Sequence, residues 1–296
     1  MPQYLQPSVL ARAEALGMKA RAIVEGLRVG DHKSPYRGFS VEFVQHREYV
    51  PGDDTRYIDW KSYARSERYT IKQYEQETNF VGHVLLDGSK SMLYGEGDTN
   101  KLEYAKLLTA SLAYLIVRQR DTVSLRIFDS KWRTQLPASS QMGHINTILH
   151  TLEATKPEEK GDMGPLLEQL AELVRRRGLV FIISDCFDDV KSILSGIKFL
   201  RFQGHEVTLF HVMHPDEITF PFDGNVKFDG LEMPEELKTR PHLIRKAYLE
   251  SVKNYFAELQ KGCDAYRCDY MRLDTSKPLG PVLADYLVKR LRFSRV

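Results

Sequence analysis

Two serines and two aspartates occupy positions at which a parallel sheet binds ligands. Asp87, Ser89 and Ser91 form a D-x-S-x-S sequence directly after a near-continuous apolar run, and Asp185 follows a second such run. Ligands of an open parallel sheet bind outside the carboxyl ends of its strands, so these groups are expected to lie side by side. With waters they could supply the roughly six oxygens that Mg²⁺ takes. The simpler alternative is that Asp87 and Ser89 only cap the loop and the next helix.

The elements that must position these residues alternate between strand and helix. Buried strands are predicted from short apolar runs, and helices from apolar residues recurring with a period near 3.6. Strand–helix alternation implies right-handed crossovers, and therefore a doubly wound α/β fold with a mostly parallel sheet. The predicted strands are 80–86, 122–128, 132–136, 179–183, 207–212 and 270–273, and the predicted helices are 102–118, 140–153, 166–177, 190–203, 234–262 and 279–292.

The pattern before residue 79 is different. A helix is predicted over 8–27, and short alternating stretches over 38–77 indicate a small β-rich region. Pro51 and Gly52 suit the two central positions of a type II turn within it. The sequence therefore predicts two parts: residues 1–78, an N-terminal helix and β-rich accessory region, and residues 79–296, the α/β domain.

The accessory region carries a dense group of charged residues around Trp60. Their signs alternate, so they could pair with one another, and the indole N–H needs a partner if it is buried. One interpretation is a structural clasp, with Trp60 buried between the two parts. The other is a partner-binding surface, since Arg and Trp are enriched in interface hot spots. The group comprises Arg47, Asp53, Asp54, Arg56, Asp59, Trp60 and Arg65.

Composition and charge narrow the classes of function. The 42 Lys and Arg residues nearly balance the 40 Asp and Glu residues, for a net charge of +2 without a basic stripe, which argues against nucleic-acid binding. The sequence lacks a signal-peptide pattern and any apolar run near the roughly 20 residues of a membrane span. The three cysteines Cys186, Cys263 and Cys268 have no CxxC spacing, which predicts reduced thiols and a cytoplasmic location.

Motifs for catalysis are missing from the sequence. It contains no phosphate-binding GxxxxGK[ST] loop and no GxSxG nucleophile elbow. A hydrolase with an aspartyl-phosphate intermediate would need a second acid two positions after Asp87, where Ser89 stands. We therefore predict a non-catalytic binding protein, with a metal-dependent phosphohydrolase as the alternative and a structural scaffold as a third possibility.

The D-x-S-x-S sequence resembles the metal-ion-dependent adhesion site of von Willebrand factor A-like domains. That site also uses a threonine from a second loop and an aspartate from a third, and the latter matches Asp185. Gly161 stands where the threonine is expected, with Thr155 and Asp162 as nearby substitutes. The resemblance therefore implies a degraded site for Mg²⁺ or Mn²⁺ at Asp87, Ser89, Ser91 and Asp185.

A longer stretch resembles the signature of the bacterial domain-of-unknown-function 58 family. It reads REYVPGDDTRYIDW over residues 47–60 and continues to Arg65, and the likeness extends through residues 85–92 and 221–224 to the last helix. Members of that family are commonly partnered with MoxR-type AAA+ ATPases. The resemblance implies an adaptor that works with such an ATPase in the chaperone-like assembly or activation of an unknown client protein.

Overall fold

The computed structural model describes residues 40–50, 58–77, 81–230 and 236–293. The chain divides into two compact units, a small one over residues 30–80 and a large one whose described part begins at Val81. The helix predicted over 8–27, the turn at Pro51 and Gly52, and Asp53, Asp54 and Arg56 lie outside the described residues.

The small unit combines two strands and one helix. Strands β1 (Ser40–Glu48) and β2 (Thr70–Glu77) pair in antiparallel fashion, and helix α1 (Trp60–Ser66) lies between them in sequence. The sequence predicted no helix here. Asp59 explains its formation, because its Oδ1 accepts hydrogen bonds from two backbone N–H groups of the first turn, those of Lys61 at 3.0 Å and Ser62 at 3.2 Å.

The large unit is built on a six-stranded sheet. Its strands are β3 (Val81–Asp87), β4 (Thr122–Phe128), β5 (Trp132–Ser139), β6 (Leu179–Ser184), β7 (Glu206–Met213) and β10 (Asp269–Asp274). They lie in the order β10-β7-β6-β3-β4-β5. Strand β5 pairs antiparallel with β4, and the other pairs are parallel. This arrangement confirms the predicted α/β class with a mostly parallel sheet.

Helices connect these strands and cover the sheet. They are α2 (Lys101–Arg118), α3 (Met142–Ala154), α4 (Met163–Leu173), α5 (Val190–Phe202), α6 (Pro215–Thr219), α7 (Pro241–Ala265) and α8 (Leu279–Phe293). Short 3₁₀ turns at Lys90–Leu93 and Gly97–Thr99 precede α2. None of the described helices is both long and apolar enough to cross a membrane.

Successive side chains of β6 point into two separate helix layers. Val180 and Ile182 belong to a buried cluster formed with residues of α4, α5 and α7. Phe181, on the opposite face, stacks with Phe210 at 6.3 Å and meets Tyr286 of α8 edge-on at 6.4 Å, both measured between ring centroids. Because both faces are covered, β6 is apolar throughout, which is why the sequence showed a continuous run there rather than an alternation.

One long helix was predicted with the wrong boundaries. Residues 234–262 were expected to be mostly helical, but a two-stranded hairpin of β8 (Val226–Asp229) and β9 (Glu236–Thr239) comes first, and α7 starts only at Pro241. A proline with its fixed φ suits the first helical position, and it is Pro241 rather than Pro234 that begins the helix. Helix α4 likewise starts at Met163 and ends at Leu173, earlier at both ends than predicted.

Candidate functional site

Four loops meet at the carboxyl ends of the parallel strands. The loop after β3 is tied to the end of β4 by the N–H of Gly88, which donates to the carbonyl of Phe128 at 2.7 Å. The N–H of Lys90 donates to the carbonyl of Glu159 at 3.2 Å, which joins the same loop to the one before α4. These bonds assemble the edge site, which we define as Asp87, Ser89, Ser91, Gly161 and Asp185.

Asp87 lies at the floor of the edge site and is only 4% exposed. Its Oδ2 accepts a hydrogen bond from the Ser184 hydroxyl at 2.5 Å, and its Oδ1 accepts one from the N–H of Ser89 at 2.9 Å. Burial, and then repulsion from Asp185, raise the pKa of Asp87 to about 7, although the bonds from Ser184 and Ser89 oppose the shift. Asp87 therefore ionises near neutral pH.

The two serines and Gly161 stand together as the sequence predicted. The hydroxyls of Ser89 and Ser91 are 3.0 Å apart. A Cβ built on Gly161 would lie 3.5 Å from the Cβ of Ser89 and 3.9 Å from Oδ2 of Asp87, so Gly161 faces the site without offering a side-chain oxygen. The hydroxyl of Thr155, a suggested substitute, instead donates to the carbonyl of Thr151 at 2.8 Å.

Lys101, which sequence reasoning missed, neutralises Asp185. Its side chain is 2% exposed, and its ammonium lies 2.7 Å from Oδ2 of Asp185 and 2.7 Å from Oε1 of Glu217. Burial alone would lower the pKa of Lys101, but attraction to these two carboxylates outweighs it and raises the pKa to about 12. A cation in the first turn of a helix opposes the helix dipole, and that unfavourable position was the available signal.

The edge site does not fit a resident divalent ion as it stands. A Mg²⁺ ion needs about six oxygen ligands. Here it would have to bind carboxylates that already pair with other groups of the chain. Asp185 is paired with the Lys101 ammonium, both oxygens of Asp87 are hydrogen-bonded, and Gly161 adds no ligand. Within the described ranges, no group of three or more His, Cys, Asp or Glu side chains is arranged to hold a metal.

An exposed phenylalanine follows the buried residues of the edge site in the loop after β6. Phe187 follows Asp185 by two residues and is 70% exposed. Its loop is held rigidly: Cys186 has a left-handed φ of 54°, the Tyr255 hydroxyl donates to the Cys186 carbonyl, and Asp188 accepts from the N–H of Met163 at 2.9 Å. The loop therefore presents an apolar ring to solvent in a fixed position.

The residues grouped around Trp60 divide among different roles. Asp59 is buried as the cap of α1, Arg65 is exposed in the last turn of that helix, and Arg47 lies in β1. Trp60 is 60% exposed, so the expectation that it is buried as a clasp is wrong. The reason is the unforeseen helix, in which Trp60 packs edge-on against Tyr63 at 6.2 Å rather than into a core.

Comparison with known proteins links most of the chain to one family. A family model described as "Protein of unknown function DUF58" matches residues 45–257. Curated relatives include uncharacterized proteins of Mycobacterium tuberculosis and Mycobacterium bovis. Each is 27% identical over 235 residues, which span 76% of this chain and 72% of the relative.

Solved structures give a more distant likeness. BatB from Bacteroides thetaiotaomicron matches 72% of this chain and 99% of its own, with 17% identity and a TM-score of 0.48. An aerotolerance-related membrane protein from Bacteroides fragilis has 21% identity and a TM-score of 0.48, over 71% of this chain and 99% of its own. The SpRpn10 VWA domain has 14% identity and a TM-score of 0.41, over 71% of this chain and 95% of its own. No functional conclusion follows from scores and identities this low.

Proposed function

The chain belongs to the DUF58 family of proteins of unknown function, and on that premise we propose that it is a non-catalytic, cytoplasmic protein-binding adaptor. Its partner would be a MoxR-type AAA+ ATPase, with which it would act in the chaperone-like assembly or activation of a client protein. The recognition surface would be the edge site together with the loop that carries Phe187.

The observation that carries this proposal is the exposed Phe187 on an anchored loop. Aromatic side chains supply much of the binding energy at protein interfaces. Because the Tyr255 and Asp188 hydrogen bonds already fix the loop, little conformational entropy would be lost when a partner packs on the ring. Leu93, 44% exposed in the 3₁₀ turn that follows Ser89, adds a second apolar side chain from a neighbouring loop.

The state of the two aspartates supports binding rather than hydrolysis. A phosphohydrolase would need a carboxylate free to attack a substrate or to hold a metal. Asp87 is buried with both oxygens hydrogen-bonded, and Asp185 is paired with Lys101. The hydrogen bonds and the ion pair of these two aspartates instead stabilise the loops that form the proposed recognition surface.

Capture from a native lysate tests the proposal. The immobilised full chain should retain an AAA+ ATPase, identified by mass spectrometry, and Phe187→Ala should lose most of it without a change in melting temperature. Phe202→Ala is the matched control, because Phe202 is 87% exposed at the far end of α5. Equal recovery by both variants would place recognition elsewhere. Phosphate release from model esters that depends on Asp87 would favour the hydrolase, and a chain that neither captures an ATPase nor releases phosphate would be a scaffold.

A further inference from the structure

Four aromatic rings follow one another on the small unit. The ring centroids of Tyr63 and Tyr69 are 4.4 Å apart with an interplanar angle of 20°, so these two rings stack. Trp60 meets Tyr63 edge-on at 6.2 Å, and Tyr49 lies tilted against Tyr69 at 6.4 Å. We call Tyr49, Trp60, Tyr63 and Tyr69 the aromatic row.

The aromatic row lies at the surface rather than in a core. Trp60 is 60% exposed and Tyr69 48%, and Val50, next to Tyr49, is also exposed. Each aromatic side chain carries a large apolar area whose exposure to water is unfavourable. A contiguous apolar patch of this kind marks an interaction site in a soluble protein.

Local bonds hold the row in place. The N–H of Tyr49 donates to the carbonyl of Tyr69 at 2.9 Å, and the N–H of Asp59 donates to the carbonyl of Thr70 at 2.8 Å. The Tyr69 hydroxyl donates to that of Tyr63 at 3.4 Å. The rings are therefore positioned before anything binds, which lowers the entropy lost on association.

The charges around the row select the chemistry of its occupant. Lys61, Arg65 and Arg68 are exposed, and within the described residues none of the three makes an ion pair. Asp59 is turned inward to cap α1, which leaves Glu67 and Glu48 as the exposed acids beside the row, and Glu48 already has a partner of its own. Lys61 and Arg65 are four residues apart on α1 and so lie side by side. Three unpaired cations favour a negatively charged ligand.

We propose that the aromatic row, with Lys61, Arg65 and Arg68, is a docking surface for an acidic protein segment that carries an apolar residue among its carboxylates. The apolar side chain packs on Trp60 and the tyrosines, and the carboxylates accept charge-assisted hydrogen bonds from the cations. Stacking between Tyr63 and Tyr69 covers one face of each of these two rings, which leaves fewer ring faces on which nucleic-acid bases could stack. This surface lies within the small unit and does not depend on the function proposed for the edge site.

Trp60 itself can report the binding. The chain has two tryptophans, so Trp132→Phe in the full chain leaves only the Trp60 emission. The probe is a synthetic peptide of alternating glutamate and leucine, compared with the same peptide containing lysine instead of glutamate and with a single-stranded oligonucleotide. We expect the acidic peptide alone to shift the emission to the blue, with an effect that weakens as salt is added.

Charge reversal provides the matched variants. Lys61→Glu with Arg65→Glu should lower the affinity for the acidic peptide on the order of tenfold at low salt. Lys253→Glu with Lys261→Glu, an equal change at exposed positions of α7, should leave it unaltered. Phe187→Ala should also bind the peptide normally, which separates this proposal from the one for the edge site.

Any one of the following results would overturn the proposal. The first is a Trp60 emission in the free chain that is blue-shifted and protected from acrylamide, because the row would then be covered already. The second is a response to the oligonucleotide that equals or exceeds the response to the acidic peptide. The third is no response to the acidic peptide at low salt, or equal loss of affinity in the two charge-reversed variants.

Discussion

The edge site and the aromatic row place polar and apolar groups in opposite ways. In the edge site, Asp87 and Asp185 are buried and already satisfied by hydroxyls, backbone N–H groups and the Lys101 ammonium. In the aromatic row, Trp60 is largely exposed and the neighbouring cations are unpaired within the described residues. A motif can thus locate a site, whereas exposure and pairing determine which of its residues remain available to a partner.

Burial explains why the motif residues of the edge site bond to one another. A buried carboxylate without a partner is strongly unfavourable, so the fold supplies partners from its own side chains. Those same bonds then withhold the carboxylates from metals and ligands. The residues around them, above all Phe187, are left to make external contacts.

The largest effect is expected when Lys101 is replaced. Lys101→Met leaves Asp185 and Glu217 without their cation, and removal of one partner from a buried ion pair costs about 3–5 kcal/mol. Lys131→Met is the control, because its pair with Glu159 is exposed and such pairs contribute about 1 kcal/mol or less. Urea denaturation measures the free energy of unfolding of both variants. Similar losses in the two variants would show that the Lys101 cluster is not buried as described.

Replacement of Asp87 should change how stability depends on pH. The pKa of Asp87 is raised from 3.8 to about 7, so the folded chain holds this proton more tightly than the unfolded chain does. The free energy of unfolding should therefore fall as the pH rises from about 4 to about 7, through this group alone. Asp87→Asn removes that contribution, because the amide does not ionise.

The measurement is the difference in unfolding free energy between Asp87→Asn and the unaltered chain, followed across pH with a chelator present. We expect the variant to gain stability relative to the unaltered chain towards neutral pH. The difference is needed because His83, whose pKa burial lowers to about 4, titrates with the opposite trend. A difference that stays constant with pH would show that Asp87 is ionised throughout.

The contrast between the two regions also explains what the sequence could predict. Apolar runs and the D-x-S-x-S spacing located Asp87, Ser89, Ser91 and Asp185, because strand ends in a parallel sheet have fixed positions. Gly161, in the loop before α4, was located only through the family resemblance. Lys101 was missed because its partners Asp185 and Glu217 lie 84 and 116 positions further along the chain, so no sequence spacing connects it to them. Its place in the first turn of a helix was the one local signal.

The small unit was harder to predict for another reason. Its helix α1 spans seven residues and depends on a single capping side chain, Asp59. A segment that short shows too little periodicity to be recognised. The clasp interpretation placed the Trp60 side chain in a buried position, because no helix was foreseen there that could hold it at the surface.

A hydroxyl added at Gly161 tests how far the edge site can bind a metal while its two carboxylates are bonded to other groups. Gly161→Thr adds a hydroxyl near Ser89 and Asp87 without strain, because Gly161 is not among the residues with positive φ. Calorimetry should show Mn²⁺ or Mg²⁺ binding on the order of tenfold tighter than in the unaltered chain. Gly161→Val is the control, since it adds similar bulk without an oxygen. Equal affinities in the two variants would mean that the hydroxyl does not reach the ion.

The smallest effect on stability is expected at Trp60. An exposed aromatic ring contributes mainly through its contact with Tyr63, so Trp60→Ala should cost about 1 kcal/mol or less. Phe128→Ala, which removes a ring from the core, should cost roughly 3–5 kcal/mol in the same urea titration. A loss at Trp60 as large as that at Phe128 would mean that the ring is buried in solution. The aromatic row would then stabilise the fold, and the contrast with the edge site would disappear.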